Sequence, residues 1–287
     1  MNRQTKGNDV AANHSKMIPK IIHYCWFGCN PLPESAKKCI ASWRKFLPDY
    51  EIKEWNESNF DVNSIPYTAE AYKAKKYAFV SDYARFYILY KYGGLYFDTD
   101  VEVIRNMDDI IARGPFMGCE GEAKQPMNGS RDKATTLGVA PGLGLGVNPG
   151  LGLGVNPGLG LGVNPGLGLY KEILDFYQPL HYILPNGDYC SETVVTITTK
   201  LLCSKGLKYT NNVQQVDGIW IYPREYFCPK DYATGTLHIT ENTHTIHHYD
   251  ATWLPWYVGF ERKLCVLLHI RYRDILNRMF FSKTFWK

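Results

Sequence analysis

The stretch Gly-Gly-Leu-Tyr-Phe-Asp-Thr-Asp, from Gly93 to Asp100, constrains the fold of this chain more than any other. Two glycines favour the end of a helix, and the apolar residues after them favour a short buried strand. Asp98 and Asp100 follow where that strand should end. Side chains two residues apart in an extended chain point to the same side, so we expect this pair to converge on one hard divalent cation. For the tripeptide alone, a solvated turn is the alternative.

The sequence of residues 76–92 predicts a helix that is buried over much of its surface, because apolar and aromatic side chains fill most positions. Ser81 or Asp82 is expected to cap this helix. Asp82 and Arg85 are three residues apart and share a face. A charged pair on such a helix is costly unless it is paired or given a ligand. Two interpretations stay open: an internal salt bridge, or a site where Asp82 binds sugar hydroxyls and Arg85 binds sugar or phosphate oxygens.

Strands alternate with helices in the first part of the chain, which predicts an α/β fold with a mainly parallel central sheet flanked by helices. Ligands of such sheets bind beyond the carboxyl ends of the strands, where Trp26, Asp98 and Asp100 fall. Strands are expected at 20–27, 50–55, 101–104, 116–120 and 213–222, and helices at 34–47, 66–75, 76–92, 108–111, 167–177 and 191–202. A loop is expected at 226–232.

An octapeptide repeat occupies the middle of the chain. The unit Val-Asn-Pro-Gly-Leu-Gly-Leu-Gly begins at residues 139, 147, 155 and 163, with Ala140 replacing Asn in the first copy and Tyr170 replacing the last Gly. Glycine and proline at this density disfavour helix and strand, so we expect a flexible or turn-rich insert over 139–169. The extra copies are interpreted as an expansion, and deletion of residues 147–162 is expected to leave metal-dependent activity intact.

Composition and targeting features favour a cytoplasmic protein. The eight cysteines are scattered without Cys-x-x-Cys pairs, which favours reduced core thiols over a zinc site. Residues 1–16 are polar and are expected to be disordered, and neither a signal peptide nor an apolar run of membrane-spanning length is visible.

The C-terminal segment 259–287 is basic, with seven Lys or Arg residues against two acidic residues in a chain of net charge +4. Its apolar residues are spaced as in an amphipathic helix. One interpretation is peripheral docking on an anionic membrane, at the inner face of the cytoplasmic membrane and next to a lipid-linked acceptor. Packing of this helix on the domain is the other interpretation, and the two stay open.

The motifs Ser-Asp-x-x-Arg, from Ser81, and Tyr-Gly-Gly-x-Tyr-x-Asp-x-Asp, ending at Asp100, resemble nucleotide-sugar glycosyltransferases of the GT-A type with an Asp-x-Asp motif. The likeness is to family 32, with yeast initiating α-mannosyltransferases and bacterial capsular or lipopolysaccharide sugar transferases, and to the core of clostridial glucosylating toxins. Residues 18–28 and 246–253 also resemble the start and end of that core. The resemblance implies a GT-A-like domain over 17–258.

The family resemblance implies a role for each candidate site residue. The Trp26 ring would stack on the nucleotide base, and Mn²⁺ or Mg²⁺ would bridge the diphosphate and Asp100. One of His247 and His248 would face the metal, because both cannot point inward from an extended segment. Asp98 would contact the ribose or sugar and reach the metal through water. The donor site would also include Asp82, Arg85 and Tyr96, with Asp250 and Trp253 as weaker candidates for its rim.

The resemblance also implies the reaction. We expect a metal-dependent, retaining transfer from a nucleotide-sugar donor to a glycan or lipid-linked glycan acceptor in bacterial surface polysaccharide synthesis. A UDP-sugar is favoured as donor, and GDP-mannose is the alternative. Because no residue stands out as a covalent nucleophile, the donor phosphate is implied to take the acceptor proton. Nucleic acid is not an expected partner.

Two other function classes share some of these sequence features. A sugar nucleotidyltransferase also uses carboxylates and a metal, but usually carries a basic, glycine-rich phosphate loop after its first strand, and residues 26–31 suit that role poorly. A non-enzymatic adhesive or structural protein would explain the octapeptide repeat, but not the ordered motifs on both sides of it.

Overall fold

The structure is a computed structural model that describes residues 17–122, 154–190, 192–232 and 234–250. Its strands are β1 (Ile21–Cys25), β2 (Glu51–Trp55), β3 (Gly94–Tyr96), β4 (Val101–Val103), β5 (Phe116–Cys119), β6 (Val155–Asn156), β7 (Leu161–Val163), β8 (Gln214–Val216), β9 (Ile219–Tyr222) and β10 (Thr245–His247). Its helices are α1 (Glu34–Phe46), α2 (Pro66–Lys73), α3 (Tyr77–Tyr92), α4 (Asp108–Ile111), α5 (Gly168–Tyr177), α6 (Val194–Ser204) and α7 (Arg224–Phe227). The predictions for residues 1–16 and for the basic segment 259–287, and the role of Trp253, lie outside the described residues.

The main sheet of the described residues has the order β2-β1-β3-β7-β5-β9-β8, with β6 also paired to β5. Strands β2, β1, β3, β5 and β9 all run in one direction, and β7, β8 and β6 run against it. The predicted α/β fold with a mainly parallel mixed sheet is therefore confirmed. Strands β4 and β10 form a separate antiparallel pair.

Helices cover both faces of the sheet, as predicted. Apolar residues of α2, α3, α5 and α6 form one buried cluster with side chains such as Tyr96 of β3. Residues of α1, α4 and α7 form a second cluster with side chains such as Leu95. Because successive strand residues point to opposite faces, one strand supplies both clusters. No helix within the described ranges has both the length and the apolar character needed to cross a membrane.

Helix α3 begins at Tyr77, so the prediction that Ser81 or Asp82 caps it is wrong. The aromatic side chains of Tyr77 and Phe79 pack against the core and extend the buried face by one turn before Ser81. The helix ends directly before Gly93, whose backbone has a φ of 65°. Both charged residues, Asp82 and Arg85, therefore lie inside the helix and are buried.

The octapeptide repeat enters the core, so the prediction of a flexible or turn-rich insert is wrong for residues 154–169. Strand β7 lies between β3 and β5, and Leu161 and Val163 are fully buried. Glycine is what permits this packing, because a Cβ atom at Gly162 would lie 2.1 Å from the ring of Phe116. High glycine content here allows a close approach between strand and core, and backbone pairing in the sheet outweighs the low strand propensity of glycine. The copies before residue 154 lie outside the described residues.

Two predictions for the last third of the chain are also wrong in detail. The continuous strand expected at 213–222 is a hairpin of β8 and β9, because Asp217 and Gly218 adopt φ values of 51° and 79°, as a two-residue hairpin turn requires. The loop expected at 226–232 overlaps helix α7, which ends at Phe227.

Candidate active site

The candidate site lies at one edge of the main sheet. Strands β1, β3 and β5 run in the same direction, so their carboxyl ends meet at the same edge. Trp26 follows β1, Asp98 follows β3 and Glu120 follows β5. This arrangement places the predicted residues where ligands of α/β sheets bind.

Arg85 joins helix α3 to the end of β3. Its guanidinium nitrogens lie 3.3 Å from both carboxylate oxygens of Asp98, and Nη2 donates a hydrogen bond of 3.0 Å to Asp82. Its Nε donates to the carbonyl of Ser81. The predicted convergence of the helix pair with the first aspartate is thus observed, and the internal salt bridge is formed. Arg85 thus donates its hydrogen bonds to other groups of the protein, and its contact with Asp98 suits the role of a positioning residue.

The two charges that helix α3 contributes to this network, on Asp82 and Arg85, are buried. Burial lowers the pKa of Arg85, but the charge of Asp98 and other nearby groups outweigh burial and raise it overall. Burial raises the pKa of Asp82, although the charge of Arg85 lowers it, and the backbone N–H of Val194 also donates to this carboxylate. A buried pair of this kind fixes geometry tightly, since removal of either partner leaves an uncompensated charge.

Tyr96 lies on the same side as Asp98, as predicted. Its hydroxyl donates a hydrogen bond of 3.1 Å to Asp98 Oδ1, and its ring lies 4.9 Å from Arg85 Cζ. The carboxylate of Asp98 is thus held from two directions, and 29% of its side chain remains exposed.

The two aspartates do not lie on an extended strand, so the geometric reason given for their convergence is wrong. Strand β3 ends at Tyr96, and the amide of Val101 donates to the carbonyl of Asp98 to close a turn. Because of this turn, Asp98 and Asp100 enter different networks. Asp98 belongs to the arginine network, and Asp100 belongs to a network with His247, the last residue of β10, and with Asp250 shortly after it.

Asp100 is bound by the closing segment of the described chain. His247 Nε2 lies 3.3 Å from Asp100 Oδ2, and the amide of Asp250 donates to the same oxygen at 3.0 Å. Strand β10 brings them together, because His247 pairs with Val101 across from β4. Burial lowers the pKa of His247, but the charge of Asp100 outweighs burial and raises it well above its usual range. Burial raises the pKa of Asp100, and His247 outweighs it and lowers that pKa.

Of the two histidines, His247 is the one that lies against Asp100, and its role at a metal stays a prediction. His248 Nε2 instead lies 2.8 Å from Glu102 Oε2, on the other side of β10. Asp250 approaches Asp100 through its main chain.

Asp100 and His247 fit a divalent cation as two of its ligands. Two ligands at right angles around a small divalent ion lie about 3 Å apart, close to the 3.3 Å observed. His247 Nδ1 is buried and has no hydrogen-bond partner of good geometry among the described residues, although the Cys228 side chain lies near this histidine and raises its pKa. Within the described ranges no three His, Cys, Asp or Glu side chains converge as a metal site, so the remaining positions would be left to ligand oxygens and water, as Mg²⁺ and Mn²⁺ accept.

Trp26 lies at the same edge, beside a surface cavity of about 550 Å³ at the ends of β1 and β2. Its indole Nε1 donates to the carbonyl of Asn30 at 2.6 Å, which fixes the ring. The amide of Gly28 in this turn donates to Glu57. The stacking of a base on Trp26 stays a prediction. The cavity is lined by Trp26, Cys29, Asn30, Glu54, Asn56, Glu57 and Ser58.

Sequence reasoning missed two residues at this edge, Glu120 and Asn156. Asn156 Nδ2 donates a hydrogen bond of 2.8 Å to Glu120 Oε2. Glu120 was detectable, because it is a carboxylate at the end of a predicted strand, as Asp98 is. Asn156 was hidden in a repeat that had been interpreted as an insert.

Comparison with known proteins agrees with this geometry. Residues 33–117 match the family model described as glycosyltransferase sugar-binding region containing DXD motif. The matched stretch includes Asp82, Arg85, Asp98 and Asp100. This part of the chain therefore carries the DXD sugar-binding region of glycosyltransferases, and the resemblance seen in the motifs is confirmed.

The similar proteins include fungal mannosyltransferases. The chain is 35% identical over 108 residues to inositol phosphoceramide mannosyltransferase 3 of Schizosaccharomyces pombe, a stretch covering 36% of this chain and 30% of that protein. It is 34% identical over 106 residues to uncharacterized glycosyltransferase L373 of Acanthamoeba polyphaga mimivirus, covering 35% of this chain and 42% of that protein. The chain thus spans less than half the length of these curated relatives. Among solved structures, the PaToxG glycosyltransferase is similar over 66% of this chain and 70% of its own, at 15% identity and a TM-score of 0.42.

Proposed function

We propose that this protein is a metal-dependent glycosyltransferase that moves a sugar from a nucleotide-sugar donor to a glycan or lipid-linked glycan acceptor. The observation that carries the proposal is the pair of networks in the DXD region. Arg85 holds Asp98 in one, and His247 lies against Asp100 in the other. Both networks lie at the carboxyl edge of the sheet, and Arg85, Asp98 and Asp100 fall within the stretch that matches the family model.

Asp98 is the residue best placed to bind the donor. Its carboxylate is fixed by Arg85 and Tyr96 and still exposes part of its surface. A carboxylate held in this way accepts hydrogen bonds from ribose or sugar hydroxyls without losing further side-chain freedom. Asp82 is buried behind it, so its direct contact with a sugar is the weaker part of the proposal.

Asp100 and His247 are the residues that would hold the metal. A bound Mn²⁺ or Mg²⁺ would supply stabilisation of the negative charge on the leaving diphosphate. The charge of Asp100 raises the pKa of His247, so metal binding there competes with a proton, which a histidine has to lose to act as a ligand. We include retention of anomeric configuration, and proton transfer from the acceptor to the donor phosphate, as further parts of the proposal.

The donor and the biological role are proposed only as classes to be tested. The named relatives include mannosyltransferases, which supports GDP-mannose as a donor to test beside the UDP-sugars. They come from fungi and from a virus, so the role in bacterial surface polysaccharide synthesis rests on the motif resemblance and stays a prediction. A cytoplasmic location with peripheral contact to an anionic membrane stays a prediction as well.

The test is hydrolysis of a nucleotide sugar without acceptor, using UDP-glucose, UDP-galactose and GDP-mannose with and without Mn²⁺. We expect Mn²⁺-dependent release of nucleoside diphosphate from one of them. Asp100→Asn should abolish this release with little change in the melting temperature. Asp49→Asn is the matched control, because Asp49 is exposed and distant in the fold, next to Lys20. Full activity of Asp100→Asn would contradict the proposal, and pyrophosphate release from a nucleoside triphosphate plus a sugar phosphate would favour the nucleotidyltransferase.

A further inference from the structure

Glu120 is a half-buried carboxylate at the same sheet edge that the proposed reaction has not yet used. It follows β5 directly, and its amide donates to the carbonyl of Gly154 at 2.8 Å. Strand β5 is separated from β3 only by β7, so Glu120 and Asp98 leave the sheet on the two sides of one strand.

The turn between β6 and β7 connects these two carboxylates. Asn156 Nδ2 donates to Glu120 Oε2 at 2.8 Å, and Asn156 Oδ1 accepts from the amide of Gly158 at 2.7 Å. The carbonyl of Gly158 in turn accepts from the amide of Asp98 at 3.0 Å. The four residues therefore form one hydrogen-bonded assembly.

This assembly is tightly packed on the Asp98 side. A Cβ atom at Gly158 would lie 1.8 Å from Asp98 Oδ2, so the turn lies directly against that carboxylate. Asn156, two residues earlier, reaches Glu120 from the same turn. The donor-binding carboxylate and Glu120 thus border one short piece of backbone.

Glu120 forms no ion pair with any residue that the structure describes. No Lys, Arg or His nitrogen of the described residues lies within 4.0 Å of its carboxylate, and Arg224 contacts Glu122 and Asp231 instead. Burial raises the pKa of Glu120, whereas the hydrogen bond from Asn156 and the charges of His247 and Arg224 lower it. A half-buried carboxylate whose hydrogen-bond donor is an amide, and whose pKa is raised by desolvation, belongs to the groups that are concentrated at functional sites.

We propose that Glu120 accepts a hydrogen bond from a carbohydrate hydroxyl during the transfer, and that Asn156 is the positioning residue that fixes its carboxylate. The hydroxyl belongs either to the transferred sugar or to the acceptor. This inference rests on the proposed glycosyltransferase function and assigns a further substrate-binding residue to it.

The test compares Glu120→Gln with Glu122→Gln. Glutamine keeps the shape of Glu120 and still accepts from Asn156, but it loses the charge. Glu122 is two residues away and more than half exposed, which makes it a matched control. Both variants are assayed for nucleotide-sugar hydrolysis without acceptor and for transfer to methyl α-mannoside, with thermal melts to check folding.

We expect Glu120→Gln to fold and to lose about 10- to 100-fold in rate, as loss of a charge-assisted hydrogen bond predicts. If the hydroxyl is on the transferred sugar, hydrolysis and transfer both fall. If it is on the acceptor, only transfer falls. Should Glu120→Gln not fold, Glu120→Asp, which withdraws the carboxylate by one methylene, is expected to show the same loss.

Rates equal to those of Glu122→Gln in both assays would overturn the role of Glu120 and leave the glycosyltransferase proposal in place. A change in melting temperature without a change in rate would have the same consequence, because it would make Glu120 a structural residue. Absence of Mn²⁺-dependent hydrolysis in the unaltered protein would instead remove the glycosyltransferase proposal and this inference together.

Discussion

Deletion of octapeptide copies is the sharpest perturbation that this chain offers. Residues 147–154 and 155–162 are identical in sequence, so removal of either copy leaves the same chain. The copy next to Val163 supplies β6, the turn and β7. After deletion of residues 147–154, an identical octapeptide still precedes Val163. We therefore expect a free energy of unfolding within about 0.5 kcal/mol of the parent, because every contact of the described repeat copy is kept.

Deletion of residues 147–162 gives a chain whose octapeptide before Val163 differs from the present one by a single side chain. Residues 139–146 would then precede Val163, and they keep every glycine of the strand and turn but carry Ala140 where Asn156 now lies. The hydrogen bonds from Asn156 to Glu120 and from Gly158 to Asn156 are lost. A bond to a charged group contributes about 2 kcal/mol and a neutral one about 1 kcal/mol, so the deletion should cost about 3 kcal/mol.

Chemical denaturation of three chains tests this reasoning: the deletion of 147–154, the deletion of 147–162, and the latter with Ala140→Asn. The third chain should recover the stability of the first, because the asparagine returns to the place of Asn156. Hydrolysis of the nucleotide sugar measures whether activity follows stability. Failure of Ala140→Asn to restore the 147–162 deletion, or unfolding of the 147–154 deletion, would refute the idea that one copy substitutes for another.

Three further outcomes follow from the site and its surroundings. His247→Ala should remove the Mn²⁺-dependent thermal shift, whereas His248→Ala should keep it, since His248 contacts Glu102 instead; equal effects would contradict the assignment. Arg85→Lys should cost about 3 kcal/mol in urea denaturation, because lysine cannot hold Asp82 and Asp98 with one planar group; unchanged stability and activity would contradict its positioning role. Burial lowers the pKa of His23 from 6.5 to about 4, so stability should fall by about 3 kcal/mol as the pH drops from 6.5 to 4, and His23→Gln should flatten this dependence.

The sequence was sufficient for the order of elements and for most of the site. Periodicity located α1, α3 and β5, and the motif resemblance located Asp82, Arg85 and Asp98, because these signals depend on residues near each other in the chain. The choice between His247 and His248 was not available from spacing alone. It depends on the pairing of β10 with β4, which joins segments more than a hundred residues apart.

Local propensity failed where a long-range contact decided the structure. Glycine-rich residues 155–163 disfavour a strand by themselves, yet they fit between β3 and β5 because larger residues would collide with Phe116. The turn at Asp98–Asp100 was likewise misjudged as extended, since the bond from Val101 to Asp98 becomes visible only in three dimensions. Asn156 was missed for the same reason, whereas Glu120 was detectable as a carboxylate at the end of a predicted strand.

The proposed function depends above all on the binding of a divalent ion by Asp100 and His247 against the diphosphate of a sugar nucleotide. A crystal structure with Mn²⁺ and a non-hydrolysable UDP- or GDP-sugar, with anomalous data collected at the manganese edge, is the decisive measurement. We expect an anomalous peak between the Asp100 carboxylate and His247 Nε2, with the sugar near Asp98. A peak elsewhere, or a donor bound with His247 still hydrogen-bonded to Asp100 and no ion between them, would contradict it.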